Sequence, residues 1–271
     1  YKANFQDNIQ RRLYIENQLR LAVNDKCRAL RVYLQPKICS KSGRITQCEA
    51  LMRWEAPEGI INPGEFIPQA EESGLIVPMT WWLIEECCSL LRRFKDLGIP
   101  MQISINIPTQ VLTHEKFIST LIEKGKEVNV DIRNLDIEIT ESALLDDIDN
   151  VNSVLNSLHE MNMEVSVDDF GTGYSSLSYL NKLSVNRIKI DRSFIMGIAN
   201  DPDNQAIVRA IIAMAKTLHM LVTAEGVETV RQLEFLQSID CEEIQGYLVS
   251  TPLPVDEFIS FLQANDCVFR I

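Results

Sequence analysis

What the chain lacks narrows its chemistry before any motif is read. No apolar run approaches the roughly 18 residues of a membrane span; the longest candidate, residues 75–84, contains Pro78 and Thr80. Positive charge is scarce: 26 Lys and Arg face 38 Asp and Glu, for a net charge of −12. That sign excludes a non-specific binder of nucleic-acid polymer or of an anionic membrane, since both require basic surfaces. It leaves room for a small phosphate ligand held through metal ions. Histidine is almost absent, with His114, His159 and His219 far apart, so zinc is not indicated and surface or packing roles are the default. The seven cysteines, Cys27, Cys39, Cys48, Cys87, Cys88, Cys241 and Cys267, are odd in number, scattered and free of any C-x-x-C pair. Free thiols in a reducing, cytoplasmic setting follow, not a disulfide framework. With 11 Gly and 10 Pro the chain is neither collagen-like nor low in complexity. It opens at Tyr1 with no signal peptide, and reads as a piece excised from a longer protein.

What is present is a regular alternation. Strand-like runs fall at residues 31–37, 46–54, 101–107, 135–140, 164–168, 186–190, 221–225 and 243–249. Helical patterns fall at 80–96, 114–127, 147–161, 175–182, 205–219, 229–238 and 255–264. Mostly helical connections between strands predict an α/β fold with a largely parallel sheet. At 271 residues the chain matches one (β/α)8 barrel, which needs about 250, better than two open sheets. The first two strands are joined only by residues 40–44, a polar link with Gly43, so they read as an antiparallel hairpin. Ahead of them, residues 6–25 place Ile9, Leu13, Leu19 and Leu21 among charges, which predicts an amphipathic linker helix.

The informative feature is where the carboxylates fall. Catalytic groups of such barrels come from the C-terminal ends of several strands. Here the strands carry Glu49, Asn106, Glu138, the pair Asp168–Asp169, Asp191 and Glu225. Taken singly, an acid at a strand end is a loop residue or a helix cap. Lys189, between Ile188 and Ile190, faces the side opposite to them by period-two alternation, and an inward lysine needs anionic partners. A ring of like charges at one barrel mouth repels itself unless divalent cations relieve it. Oxygen donors without Cys or clustered His favour Mg²⁺ or Mn²⁺. The segment from Asp168 to Leu177, DDFGTGYSSL, has neither Walker nor dinucleotide-fold spacing. It reads as a pliable turn after two adjacent acids.

These residues resemble the EAL-domain cyclic di-GMP phosphodiesterases. Glu49-Ala50-Leu51 is the name-giving triplet, and the more specific matches occur in family order. They are Gln35-Pro36, Phe66-Ile67-Pro68 with Ala70-Glu71, Glu138-Ile139-Thr140-Glu141, the loop from Asp168, Lys189-Ile190-Asp191 with Phe194, Ala224-Glu225-Gly226-Val227-Glu228, and Gln245-Gly246-Tyr247. The resemblance implies a modified TIM (β/α)8 barrel with an antiparallel first strand. It implies metal-dependent hydrolysis of cyclic di-GMP to linear pGpG, with Mg²⁺ or Mn²⁺ as cofactor and Ca²⁺ inhibitory. By the same resemblance Glu49, Asn106, Glu138 and Asp168 hold one metal, and Asp169 and Asp191 a second that shares Asp168. Lys189 holds the attacking water or the phosphate, and Glu225 is the general base. Glu141 braces the glycine-rich loop, Arg53 binds phosphate, Gln35 and Gln245 contact substrate, and Glu228 supports them. Two departures, Pro108 where the family has Ser and Cys48 before the EAL glutamate, touch no proposed ligand.

The competing reading is a cyclic di-GMP receptor or interaction module without catalysis. Such relatives lose ligands that this chain keeps. A different Mg²⁺-dependent barrel enzyme leaves the DDFGTGYSSL match unexplained. The expected organisation is a linker helix over 1–27, the barrel over 28–264 and a tail over 265–271. The linker resembles one arriving from a GGDEF-type domain. The family also implies a homodimer and upstream regulatory domains in the full-length protein, with an anchor, if any, upstream of this fragment.

Overall fold

The computed structural model describes residues 2–56, 58–144, 148–172, 180 and 183–270, without the side chains of residues 2–9. Ten strands form one sheet: β1 (Leu30–Cys39), β2 (Ile45–Ala56), β3 (Gly59–Ile61), β4 (Gln102–Asn106), β5 (Leu135–Thr140), β6 (Glu164–Phe170), β7 (Arg187–Ile190), β8 (Leu221–Ala224), β9 (Glu243–Gln245) and β10 (Leu253–Pro254). The run β2-β4-β5-β6-β7-β8-β9 is parallel throughout, and β1 closes it by pairing antiparallel with both β2 and β9. The result is a closed eight-stranded barrel with one reversed strand. β3 and β10 extend it as short antiparallel additions to β2 and β1.

The reversed strand follows from the length of its connection. A link this short cannot make the crossover that a parallel pair requires, so β2 must run back along β1. The turn is closed by Cys39 N–H to Arg44 O at 3.0 Å and Gly43 N–H to Cys39 O at 2.9 Å. Gly43 adopts φ +69°, and a Cβ there would lie 2.1 Å from the Phe269 carbonyl oxygen. Residues of the 265–271 segment are tied down at this turn, with Phe269 N–H on Gly43 O and Val268 bridged to Arg44.

Period-two alternation sorts the barrel wall into two chemistries. Ile103, Ile105, Leu135, Ile137, Ile139, Val165, Val167, Ile188, Ile190, Val222 and Ile244 face outward and are buried under the helices. Those helices offer matching stripes. Ile148–Glu160 buries Val151, Leu155 and Leu158, and Pro202–Thr217 buries Val208, Ile211, Ile212 and Ala215, the spacing of one helical face.

The inward positions are polar from floor to mouth, where an ordinary barrel of this type packs branched apolar layers. Lys37, Ser104, Asp136, Ser166, Arg187 and Thr223 are all buried. They persist because each finds a partner. Asp136 accepts from Ser104 at 2.8 Å and from Ser166 at 2.9 Å. Arg187 donates to Glu243 and to Thr223, and pairs with Glu164 at 3.4 Å.

The N-terminal helix, Lys2–Asn24, docks on the barrel through a separate apolar cluster of Ile15, Leu19, Ala22, Leu30, Trp54, Ile61, Phe66 and Met79. Its buried stripe differs from the expected one. Leu19 is buried as expected, at 0%, but Leu13 and Leu21 are 55% and 61% exposed and Ile15 is buried at 1%. The face runs 15, 19, 22, because the helix packs against Pro63–Glu72, a helix that the apolar pattern did not reveal. Arg11 pairs with Glu65 at 2.7 Å and Glu58 at 3.0 Å along the edge, exposed bridges that add little. The helix expected over 175–182 falls almost wholly outside the described residues. No described helix is long and apolar enough to cross a membrane.

The floor network makes one expectation testable. Arg187→Ala leaves the part-buried Glu243 without its cation, a loss of up to about 3–5 kcal/mol. Urea unfolding should show a lower midpoint at unchanged slope; a loss below about 1 kcal/mol would contradict the pairing.

Candidate active site

The strand register brings the predicted acids to one end of the barrel. Gln35 lies opposite Glu49 across β1–β2, Asn106 beside Glu138, and Thr140 beside Asp168. Glu49 is clamped by two amides, accepting from Asn106 Nδ2 at 2.7 Å and from Gln245 Nε2 at 2.6 Å. Gln245 Nε2 also donates to Gln35 Oε1 at 3.0 Å, and Gln35 Nε2 to the Ser250 carbonyl at 3.1 Å. Asn106 uses its NH₂ group on Glu49, so its carbonyl oxygen remains available to a cation.

Lys189 is the centre of the cluster. Its Nζ lies 2.6 Å from Glu138, 2.7 Å from Glu225, 3.1 Å from Asp168 and 3.7 Å from Glu49. Glu138 is gripped a second time, by Lys37 Nζ at 2.6 Å on its other oxygen. Lys37 was not anticipated from the sequence. Neither were Asp136 or Arg187, although the same alternation that exposes Lys189 marks all of them.

Two adjacent strand residues normally face opposite ways, yet Asp168 and Asp169 both join the site. The pairing of β6 with β7 explains this. Val167 is opposite Ile188 but Phe170 is opposite Ile190, so three steps on β6 match two on β7. Such a bulge re-aims side chains. Asp169 takes a left-handed backbone, φ +54°, a conformation uncommon outside glycine and maintained only where the surroundings enforce it. Glu141 supplies part of that enforcement. Its Oε2 accepts the Gly171 N–H at 2.8 Å, and its own N–H donates to the Asp168 carbonyl at 3.0 Å. The rest of the glycine-rich loop, residues 173–179, lies outside the described residues.

Two sets of carboxylate oxygens lie within 4.8 Å of one another: Glu49, Glu138 and Asp168, and then Asp168, Asp169 and Glu225. Asp191 is absent from the second set. It accepts the Ser193 N–H at 3.0 Å and caps the helix Arg192–Met196, while its charge raises the pKa of Asp169 after burial has done so. Gly246 lets its own backbone approach that of Val227, since a Cβ there would lie 2.2 Å from the Val227 carbonyl oxygen. Glu228 is exposed, and its N–H donates to Gln232 Oε1 at 2.7 Å. A cleft of about 300 Å³ opens beside the acids, lined by Arg53, Ile67, Glu71, Asn106, Pro108 and Glu138. Arg53 is stacked over the Tyr33 ring at 5.4 Å. Pro108 serves as the N-cap of the short helix Thr109–Leu112, with its carbonyl accepting from Val111 and Leu112.

Burial and charge set opposite pKa directions inside this cluster. Burial raises Glu138, but Lys189 and Lys37 outweigh it and bring it down to about 2. Burial wins at Glu225, which is pushed up to about 8 against the pull of Lys189. Glu49 and Asp168 are raised by burial too, with Lys189 opposing. Counted along the interior, Lys37, Arg187 and Lys189 face Glu49, Asp136, Glu138, Asp168, Glu225 and Glu243. With all groups ionised the interior is short of positive charge, a deficit that added hard cations would fill.

A barrel with one reversed strand and an oxygen-lined acidic mouth is thus the class that fold and site define. The chain belongs to the EAL domain family, which matches residues 16–252. It is 37% identical over 262 residues to the bifunctional diguanylate cyclase/cyclic di-GMP phosphodiesterase MucR of Pseudomonas aeruginosa, covering 96% of this chain and 38% of that one. It is 38% identical over 248 residues to the cyclic di-GMP phosphodiesterase PdeR of Escherichia coli, covering 91% and 37%. The chain therefore spans less than two-fifths of either relative. Among solved structures, the PaMucR phosphodiesterase in complex with c-di-GMP superposes with a TM-score of 0.86 at 38% identity, covering 90% of this chain and 99% of that chain. The EAL enzyme Bd1971 in its cAMP- and cyclic-di-GMP-bound form gives 0.89 at 31%, covering 96% and 72%.

The Glu141 contact is open to test on its own. Glu141→Ala removes the acceptor of a half-buried N–H, at a cost of about 1–3 kcal/mol. Amide exchange at Gly171 should accelerate while exchange in β4 and β5 stays slow; unaltered exchange at Gly171 would contradict the bracing role.

Proposed function

We propose that this chain hydrolyses cyclic di-GMP to linear pGpG with two divalent cations, Mg²⁺ or Mn²⁺. The observation that carries the reading is the convergence of Glu49, Glu138, Asp168 and Glu225 on one buried point at the barrel mouth, beside a cleft bearing Arg53. The donor set fits such ions, being oxygen-only and confined in space. Glu49, Asn106, Glu138 and Asp168 would hold one. Asp168 and Asp169 would hold the other, with Asp191 beside them and Glu225 in reach. When bound, such cations lower the pKa of a water and offset phosphate charge.

The chain's own residues supply the rest. Lys189 places a fixed positive charge where negative charge grows in the transition state. Glu225, whose carboxyl burial raises to about 8, can take a proton from the attacking water once it is ionised. Arg53, half-buried against Tyr33, offers its guanidinium to a phosphate. Gln245 Oε1 is buried without a partner among the described residues, leaving an acceptor for substrate, with Gln35 holding the amide in place. Glu141 steadies the turn that carries Asp169, and Glu228 supports the segment after Glu225. Ca²⁺, with its looser and larger coordination shell, should occupy the site and inhibit. We further propose a homodimer, upstream regulatory domains joined through the helix over 1–27, and a cytoplasmic setting, in keeping with seven free cysteines.

Purified protein with Mg²⁺ or Mn²⁺ should convert cyclic di-GMP to pGpG, as read by chromatography. Asp168→Asn and Glu49→Gln should each lower turnover more than about 100-fold, beyond the 10–100-fold typical of residues that only support a ligand. Binding of cyclic di-GMP without turnover under both metals would make the chain a receptor instead.

The raised carboxyls set a pH dependence for Mg²⁺ binding. Below about 8 Glu225 keeps its proton, and a protonated carboxyl competes with the cation. Mg²⁺ binding should therefore release protons and strengthen as pH rises through about 8. Calorimetry in two buffers of different ionisation enthalpy reads both; affinity independent of pH would contradict the assignment of Glu225 to the site.

A further inference from the structure

We infer that Lys37 is a positioning residue for Glu138, holding one carboxylate oxygen from beneath so that the other faces the cation site. The inference rests on the two-cation reading above. Lys37 comes from β1, the one strand that runs down into the barrel from the mouth. Gln35 stands at the mouth opposite Glu49, and the next inward residue, Lys37, stands one layer deeper. The side chain is fully buried, so its ammonium must be used internally.

The contacts of that ammonium are specific. Its Nζ donates to Glu138 Oε1 and to Ser104 Oγ, both at 2.6 Å. Ser104 passes the connection to Asp136 at 2.8 Å, and Asp136 is held by Ser166 at 2.9 Å. The ammonium of a flexible side chain is thus pinned between the barrel floor and Glu138. Lys189 takes the opposite oxygen, Oε2, at 2.6 Å.

The two lysines are not equivalent. Lys189 pairs with Glu49, Asp168 and Glu225 as well as Glu138, so a cation entering that set competes with it for the same oxygens. Lys37 pairs only with Glu138 and, at 3.9 Å, Asp136 among the described residues. Its grip on Glu138 is compatible with an occupied site. It leaves Oε2 as the oxygen presented to a cation and fixes the direction from which that oxygen approaches.

The sign of one measurement separates positioning from bare charge. If Lys37 acted only as a nearby positive charge, removing it would tighten cation binding, because a like charge is lost. Positioning predicts the reverse. Mn²⁺ titration of metal-free protein, with free Mn²⁺ read by electron paramagnetic resonance, should show Lys37→Met weakening binding about 10–100-fold. At saturating Mn²⁺ its kcat should fall while KM for cyclic di-GMP stays within about threefold, an effect smaller than the about tenfold step of 1.4 kcal/mol. Ser104→Ala keeps the charge and removes the floor anchor, so it should weaken Mn²⁺ in the same direction by a smaller factor. Lys37→Met binding Mn²⁺ as tightly as the unaltered protein, or more tightly, overturns the inference. If Lys37→Met does not fold, unchanged affinity in Ser104→Ala overturns it instead. An unaltered protein that binds no Mn²⁺ removes the two-cation reading and this inference together.

Discussion

Everything at the mouth of this barrel depends on the pairing of Lys189 with the carboxylates that surround it. Four acids brought this close would repel one another, and the low dielectric of a buried site magnifies that repulsion. Lys189, with Lys37 beneath, lets Glu138 stay ionised, while burial drives Glu225 to hold its proton against the pull of Lys189. Pairing on this scale is costly to assemble and more costly to break. It therefore acts as a constraint on the fold: the strands must deliver these side chains to one level, or the barrel carries uncompensated buried charge.

The barrel meets that constraint with two irregularities. The first is the reversed strand. An all-parallel barrel presents only C-terminal strand ends at its mouth, whereas β1 runs the other way and brings Gln35 in opposite Glu49 with Lys37 beneath it. One strand thus contributes to two layers of the site, the amide clamp on Glu49 and the lower grip on Glu138. The second is the bulge in β6, which turns Asp169 toward the side that Asp168 already faces. Both are departures from regular geometry at the place where acids must converge, which is where bulges and unusual backbone tend to gather. The polar floor extends the same logic downward: Ser104, Asp136 and Ser166 form one bonded set and Arg187, Thr223 and Glu243 another, in place of apolar filling.

Much of this was legible in the residues. The strands QISIN, LDIEIT and RIKI alternate so strictly that their inward and outward faces can be read directly. Glu49, Asn106, Glu138, Asp168, Lys189 and Glu225 converge because each occupies an inward position toward the barrel mouth. The hairpin was legible for a topological reason, its short connection. The helix Pro63–Glu72 was not, because Pro68 lies inside it and its apolar residues pack on the N-terminal helix, not on the barrel wall. For the same reason the N-terminal helix buries Ile15 beside the expected Leu19 and leaves Leu13 and Leu21 exposed. A chain's own pattern cannot say which of two apolar stripes will find a partner.

By itself, then, the sequence determined the class of fold, the reversal of the first strand and the inventory of acids at the mouth. These follow from period and connection length, which are local properties of the chain. Only the tertiary structure decided that Lys37 reaches Glu138, that Asp169 turns back beside Asp168, and that Asp191 caps a helix while Glu225 closes the second acidic set. Those outcomes depend on stagger between strands, on a one-residue slip in register and on the direction of β1. They are set by how distant segments align, and no window of neighbouring residues contains that information.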